Sequence, residues 1–248
     1  MDLPLKFIHN HIVEYSMQVT YNPVENEGNV VYNLFIIPEH EREYAISTLK
    51  NVVSAGIMVG DMVRFIEAGE TLDGVGIPEG KLGICTLCSI TLDGILLRRG
   101  IATNAIGGGL IEVEANIPNR FTHIILYEAT TFDPLQVMAS QDLTSVNRVM
   151  REGNGHILGN IRECHMEAEP LLAEILDECA SSHFSGILEV GMPNASLLGV
   201  SVSPQYMGVV AVGGTNPFAA MKEDGHPVTT LAIKGLMDCR LMDSIKSF

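Results

Sequence analysis

The chain has 248 residues, 46% of them hydrophobic, with 30 Asp and Glu against 15 Lys and Arg, for a formal charge of −15. A chain of this length can bury enough apolar surface to fold without disulfides or metal, and its acidity is the wrong sign for neutralising nucleic-acid phosphates or anionic membranes. No apolar run approaches the roughly 20 residues of a membrane span, and the five cysteines follow no framework spacing, which points to free thiols in a reducing, cytoplasmic setting.

In chain order, residues 1–27 form a lead-in without the charged-then-apolar layout of a signal peptide. Leu5, Ile8, Ile12 and Tyr15 recur there at helical spacing, an apolar face with no obvious cover in the neighbouring sequence. Such a face suggests a partner subunit, hence a homodimer or higher assembly. Residues 30–37 are apolar and β-branched, a buried strand. Ala45, Leu49, Val52 and Val53 then predict a helix stopped at Gly56. A short strand near Val63–Ile66, a Gly/Pro-rich turn, a strand at 82–87, a helix from about Leu92 to Arg98 capped by Thr91, and a strand at about 110–114 complete the set. Residues 121–154 read as a structured bridge: a strand, a turn at Asp133-Pro134, and a helical face of Val146, Val149 and Met150 before Gly153.

From Gly155 the pattern repeats. "GVGIPEGKLGICTLCSITLDGILLRRGIAT" (74–103) aligns without gaps on "GVSVSPQYMGVVAVGGTNPFAAMKEDGHPV" (199–228), pairing Gly74 with Gly199, Gly83 with Gly208 and Gly100 with Gly225. Upstream, "GNVVYNLFII" from Gly28 matches "GHILGNIREC" from Gly155, with Asn33 over Asn160. Downstream, Gly109-Leu110 lies over Gly235-Leu236. The expected fold is therefore α+β, an internal duplication of a β-α-β-β-α-β (ferredoxin-like) unit in a two-layer sheet-and-helix sandwich. Its repeats span 28–120 and 155–248.

Cys85-x-x-Cys88 raises the question of metal or redox chemistry. Residues three apart on a strand point to opposite faces, and no second Cys pair or His-x-x-x-His completes a zinc site. The second repeat carries Val210 and Gly213 at these positions, so the shared unit does not need thiols. Both copies instead retain a strand ending in small or hydroxyl residues before a helix: Cys88, Ser89 and Thr91 in one, Gly213, Gly214, Thr215 and Asn216 in the other. Helix N-termini offer unpaired N–H groups and a positive dipole end, a seat for an anion, although ordinary helix caps would have the same composition.

Several strings go further than the repeat. "GNVVYNLFIIPEHEREYAISTLKNVVSAGI…VRFIEAGE", "IPEGKLGICTLCSITLDGILLRRGI", "YEATTFDPLQV" and "GNGHILGNIRECHMEA…GILEVGMPN…GVVAVGGTNPFAA" resemble the regulatory domain of the NrpR family, archaeal nitrogen-responsive transcriptional repressors. The resemblance covers nearly the whole chain from about Ile8. It implies a non-enzymatic sensor of 2-oxoglutarate, with no cofactor or metal, whose effector relieves repression. It also implies that DNA is contacted only through a winged-helix segment, which the chain lacks or a partner supplies. A dicarboxylate needs cationic or N–H donors. Arg64 and Arg162, expected in strands, and His165 are therefore candidates beside the two strand-to-helix turns, although solvent-exposed strand faces would also accommodate them. Asp93, Glu112 and Glu128 could serve an enzyme as acid or base, but isolated carboxylates are commonly solvated. An enzyme of unknown reaction and a purely structural dimerisation module remain the alternatives.

Overall fold

The computed structural model describes residues 5–248, so the first four residues of the predicted lead-in lie outside it. The lead-in forms helix α1 (Ile8–Ser16), and the first repeat follows as β1 (Asn29–Pro38), α2 (Arg42–Ser54), β2 (Met62–Ile66), β3 (Thr71–Leu72), β4 (Val75–Gly76), β5 (Lys81–Leu87), α3 (Ile90–Arg98) and β6 (Thr103–Glu114). The bridge contributes β7 (Ile117–Leu126), a 3-10 turn at Tyr127–Ala129, α4 (Pro134–Ser140) and α5 (Val146–Glu152). The second repeat is β8 (Gly155–His165), α6 (Glu169–Ala180), β9 (Ile187–Val190), β10 (Tyr206–Val212), α7 (Asn216–Glu223) and β11 (Thr229–Asp238), closed by the short strand β12 (Asp243–Ser244).

The duplicated α+β unit is present, with one feature that the repeat pattern did not announce. The strands form two antiparallel five-stranded sheets, ordered β11-β1-β5-β2-β12 and β7-β6-β8-β10-β9. Each contains a ferredoxin-like order of four strands, but the fourth is exchanged: β11 of the second repeat pairs with β1 of the first, and β6 of the first pairs with β8 of the second. Neither repeat completes its sheet alone, so the two units are interlocked by main-chain hydrogen bonds.

The registers preserve the repeat. Phe35 lies opposite Ile84 in one sheet, and Arg162 lies opposite Val209 at the corresponding place in the other. β1 is buried almost throughout, as its continuous apolar run predicts for a strand covered on both faces. The strand β6 starts at Thr103, earlier than its apolar tail suggests, because Gly107 to Gly109 belong to it. A Cβ at Gly109 would collide with the His123 carbonyl of β7, so the close approach of β7 accounts for glycine there.

Three further expectations change. The apolar face of α1 is covered in part within the chain: Ile8 and Ile12 are buried against α3 and the Tyr127–Ala129 turn, while Tyr15 is half-buried and Leu5 stays exposed. Asp133-Pro134 is a helix start rather than a plain turn, with the Asp133 carboxylate accepting from Leu135 N at 3.0 Å and Pro134 in the first turn of α4. Helix α3 begins at Ile90 with Ser89 as its N-cap, which puts Thr91 inside the helix.

Helices α3 and α7 are buried on nearly all sides, because each bridges the two sheets. Thr91 Oγ1 accepts from Val31 N of β1 at 3.0 Å, and Asn216 Oδ1 accepts from Leu158 N of β8 at 2.8 Å. Val31 and Leu158 are corresponding residues of the two repeats, so the same tether occurs twice. Further along, each helix meets the first strand of the other repeat, α3 at Arg162 and α7 at Phe35.

Candidate functional site

The two strand-to-helix turns, far apart in sequence, converge on one central cavity. Its walls include Asn33, Cys88, Ser89, Asp93, Tyr127, Asp133, Asn160, Arg162, Gly214 and Thr215, with Ile12 of α1 and Ile233 of β11 closing it. Main-chain bonds set the turns in matching positions: Cys88 N donates to Val31 O at 2.9 Å and Gly213 N donates to Leu158 O at 2.8 Å. The N-termini of α3 and α7 thus point their positive dipole ends toward the same small space.

Two buried asparagines, at matching positions of β1 and β8, organise the wall. Asn160 Nδ2 donates to Ser89 Oγ at 2.8 Å, tying β8 to the start of α3. Asn33 Nδ2 donates to Leu87 O at 3.3 Å, and its Oδ1 accepts from Ile233 N at 3.0 Å. Ile233 sits in the left-handed region at φ +50°, in the interrupted part of the β1–β11 ladder, an uncommon conformation for a β-branched residue. Gly214 corresponds to Ser89, and a Cβ there would lie 2.6 Å from Asn33 Nδ2. That position accepts no side chain while Asn33 keeps its bonds.

The charged part of the cavity is Arg162 with Asp93, both about 3% exposed. Nε of Arg162 lies 2.9 Å from Asp93 Oδ1, close enough for an ion pair. The N–H is not aligned with that contact, so Nε and Nη1 both lack a directed acceptor. Nη2 donates to Asn160 Oδ1 at 2.7 Å, and Thr103 Oγ1 donates to Asp93 Oδ1 at 2.8 Å. Asp93 Oδ2 and Thr215 Oγ1 are likewise buried without partners. Buried polar atoms left in this state are costly, and several around one cavity mark a place that water or a ligand completes.

Asp133 faces the same cavity, and burial pushes its carboxyl up to about 6, against the lowering effect of the Leu135 N–H. Burial also raises the Tyr127 hydroxyl well above its ordinary value. It pushes the thiols of Cys85 and Cys88 up to about 12, so at neutral pH Cys88 is a small apolar wall and not a thiolate. The cavity measures only about 30 Å³, room for roughly two water molecules.

Of the residues proposed from sequence, Cys88, Ser89, Gly214, Thr215 and Arg162 line this cavity. Thr91 and Asn216 are engaged as tethers, Asn216 Nδ2 also donating to Leu158 O at 3.0 Å and Ile57 O at 3.2 Å. Gly213 supplies the N–H bonded to Leu158. Arg162 does not lie on a solvent-exposed strand face, and Asp93 is not solvated; each is buried with the other. Arg64 is placed elsewhere: it lies opposite Cys85, on the sheet face away from Asn33 and Thr86. His165 is exposed at the end of β8, accepting from Glu167 N at 3.3 Å and packing edge-on to Tyr206. Glu112 pairs with Arg120 at the surface and Glu128 is exposed. Sequence reasoning missed Tyr127 and Asp133, which arrive through the bridge. Asn33 and Asn160 had already been paired by the repeat alignment.

Comparison with known proteins bears on the family and the fold. The model of the family described as NrpR regulatory domains NRD1 and 2 matches residues 5–244. The chain belongs to that family. It is 33% identical over 239 residues to the global nitrogen regulator NrpRI of Methanosarcina mazei, covering 96% of this chain and 73% of that protein. The global nitrogen regulators NrpR of Methanococcus maripaludis and Methanocaldococcus jannaschii are 31% and 29% identical, over 85% and 93% of this chain. The chain spans only 35% and 38% of the length of those two proteins. A crystal structure of a nitrogen repressor-like protein from Methanococcus jannaschii superposes with a TM-score of 0.82 at 28% identity, covering 98% of this chain and all of that one. Among the described residues no cluster of His, Cys, Asp and Glu is arranged to hold a metal ion, and no helix is long and apolar enough to cross a membrane.

Proposed function

We propose that this chain is the effector-binding regulatory domain of a nitrogen-responsive transcriptional repressor, working in the cytoplasm, and that the central cavity takes 2-oxoglutarate. The observation that carries the reading is Arg162: a buried guanidinium whose Nη1 has no acceptor, at a cavity where two helix N-termini converge. A carboxylate at Nη1 would satisfy that donor, and Thr215 Oγ1 and the main-chain N–H groups around Gly214 stand beside it as further donors. Asp93 already balances the Arg162 charge, so the ligand must share the guanidinium with it. Asp133, with its raised carboxyl, can take up a proton rather than repel the incoming anion.

A five-carbon dicarboxylate does not fit about 30 Å³, so binding requires the walls to move. Ile12 of α1 and Asp133 and Leu135 of the α4 start belong neither to the two sheets nor to the helices α3 and α7 tethered to them, which makes them the parts most free to shift. A ligand that binds only the opened arrangement shifts the population toward it, and α1 carries the change to whatever the domain controls. Operator contact is assigned to parts outside these acidic residues, and assembly to a homodimer or higher form is part of the same proposal. The regulatory family and the tethered, thiol-inert site favour sensing over catalysis.

Isothermal titration of 2-oxoglutarate into the purified chain, with glutamate and succinate as controls, tests the reading. Selective heat for 2-oxoglutarate is expected. Equal binding of succinate would mean that the keto group is not read, and no binding of any of the three would leave the structural dimerisation module as the better account.

A further inference from the structure

The repeat makes the two ends of α3 and α7 comparable residue by residue. Thr91 and Asn216 make the same tether to corresponding strand residues, so the position two residues further on is also equivalent in the two helices: Asp93 in α3 and Phe218 in α7. The strand registers likewise make Arg162 of β8 the counterpart of Phe35 of β1. At one place in the fold the helix–strand contact is a buried Arg–Asp pair with unsatisfied polar atoms. At its symmetry-related place it is Phe35 stacked on Phe218, with ring planes 11° apart and both residues buried.

We infer that the chain holds a single ligand site, built on the Arg162–Asp93 pair, and that the Phe35–Phe218 stack seals its pseudo-symmetric counterpart. The inference rests on the ligand reading above but goes beyond it, since it fixes the number of sites and the residues that create the asymmetry. The molecule itself contains the control. A pair of phenylalanines already occupies this helix–strand contact without distorting the tether or the register, so the fold does not require a salt bridge there. Replacing a buried ion pair by well-packed apolar residues is often neutral or stabilising, so an incompletely bonded pair at a cavity points to recognition. The polar pair also gives the ligand one orientation. Arg162 can receive a carboxylate only on the β8 side of the cavity, whereas Asn33 on the opposite side is committed to Leu87 and Ile233.

The test is the double substitution D93F/R162F, which copies the Phe pair into the polar half, compared with the parent by thermal unfolding and by titration with 2-oxoglutarate. The thermal midpoint is expected to stay within about 4 °C of the parent or to rise, the shift that a small stability change produces in a chain of this size. One mole of 2-oxoglutarate per mole of parent chain is expected, with binding to the variant weakened by at least about tenfold. A large fall in the midpoint would make the pair structural and overturn the inference, as would two molecules bound per chain or undiminished binding by the variant. Should the parent bind no 2-oxoglutarate while the variant keeps its midpoint, the choice of ligand fails. The assignment of the pair as dispensable to the fold is then upheld.

Discussion

The two halves of this molecule share a backbone plan and differ in what they place at one contact. In the half where α7 meets β1, Phe35 and Phe218 stack and exclude solvent. In the half where α3 meets β8, Arg162 and Asp93 sit as deeply buried with hydrogen-bonding capacity left over. The comparison teaches that the same helix–strand contact is made once by a stacked aromatic pair and once by an incompletely bonded ion pair. If the polar version is dispensable to the fold, as proposed above, its leftover hydrogen-bonding capacity is there for a ligand.

The largest expected effects come from breaking each contact from one side only. Truncating Phe218 to Ala leaves a void against Phe35 and should cost about 3–5 kcal/mol in denaturant unfolding. Changing Arg162 to Met leaves Asp93 buried and unpaired, at a similar cost of about 3–5 kcal/mol. The single change should thus be far worse than the double change to phenylalanine. If R162M were as stable as the parent, Asp93 would not be the buried charge described here.

The tethers should give intermediate effects. Asn216→Ala removes the acceptor of Leu158 N–H and a donor to Ile57 O, while Leu158 O keeps Gly213 N–H, for a loss of about 2–3 kcal/mol. Thr91→Ala removes a weaker version, with its contact to Val31 O stretched to 3.4 Å, and should cost about 1–2 kcal/mol. Equal losses at the two sites would blur the asymmetry between the halves.

The smallest effect is at Asp133. Its folded carboxyl is raised to about 6, above an unfolded value near 4. Between these values the folded state holds the proton more tightly, so stability falls as pH rises from about 4 to about 6, and the penalty persists at neutral pH. Asp133→Asn keeps the cap on Leu135 N and removes the titration. It should flatten that pH slope and raise stability at pH 7 by about 1–2 kcal/mol, a figure reduced for the partial solvent contact that Asp133 retains. Binding of 2-oxoglutarate to the parent should tighten as pH falls from 7 toward 6, because a protonated Asp133 no longer repels the anion. Arg162, Asp93, Tyr127 and Cys88 are the other ionisable groups on the cavity wall. The same titration on D133N should show little of that dependence.

Much of the fold could be read from the sequence because glycine spacing and apolar runs recur, and each recurrence carried a strand or helix into the right place. The exchange of β6 and β11 could not be read, since composition does not say which of the two first strands a fourth strand pairs with. The candidate site was half visible. The two strand-to-helix turns were named from small and hydroxyl residues, and Asn33 over Asn160 marked the wall between them. Aligning the repeats also sets Arg162 over Phe35 and Asp93 over Phe218, a charge pair replaced by an aromatic pair, but only the structure shows that the members of each pair touch. Tyr127 and Asp133 lie in a string that carries the family resemblance, but nothing in it marks them as wall residues, because the bridge reaches the cavity through tertiary packing alone. Arg64 was drawn in by its strand position, although alternation places it on the other sheet face.

The most direct test of the account is a crystal structure of the chain with 2-oxoglutarate. It is expected to show one molecule in a widened central cavity with a carboxylate on Arg162 Nη1, α1 and the start of α4 displaced, and the Phe35–Phe218 stack unmoved. A ligand bound beside Arg64 or His165, or a second copy at the Phe35–Phe218 contact, would contradict it.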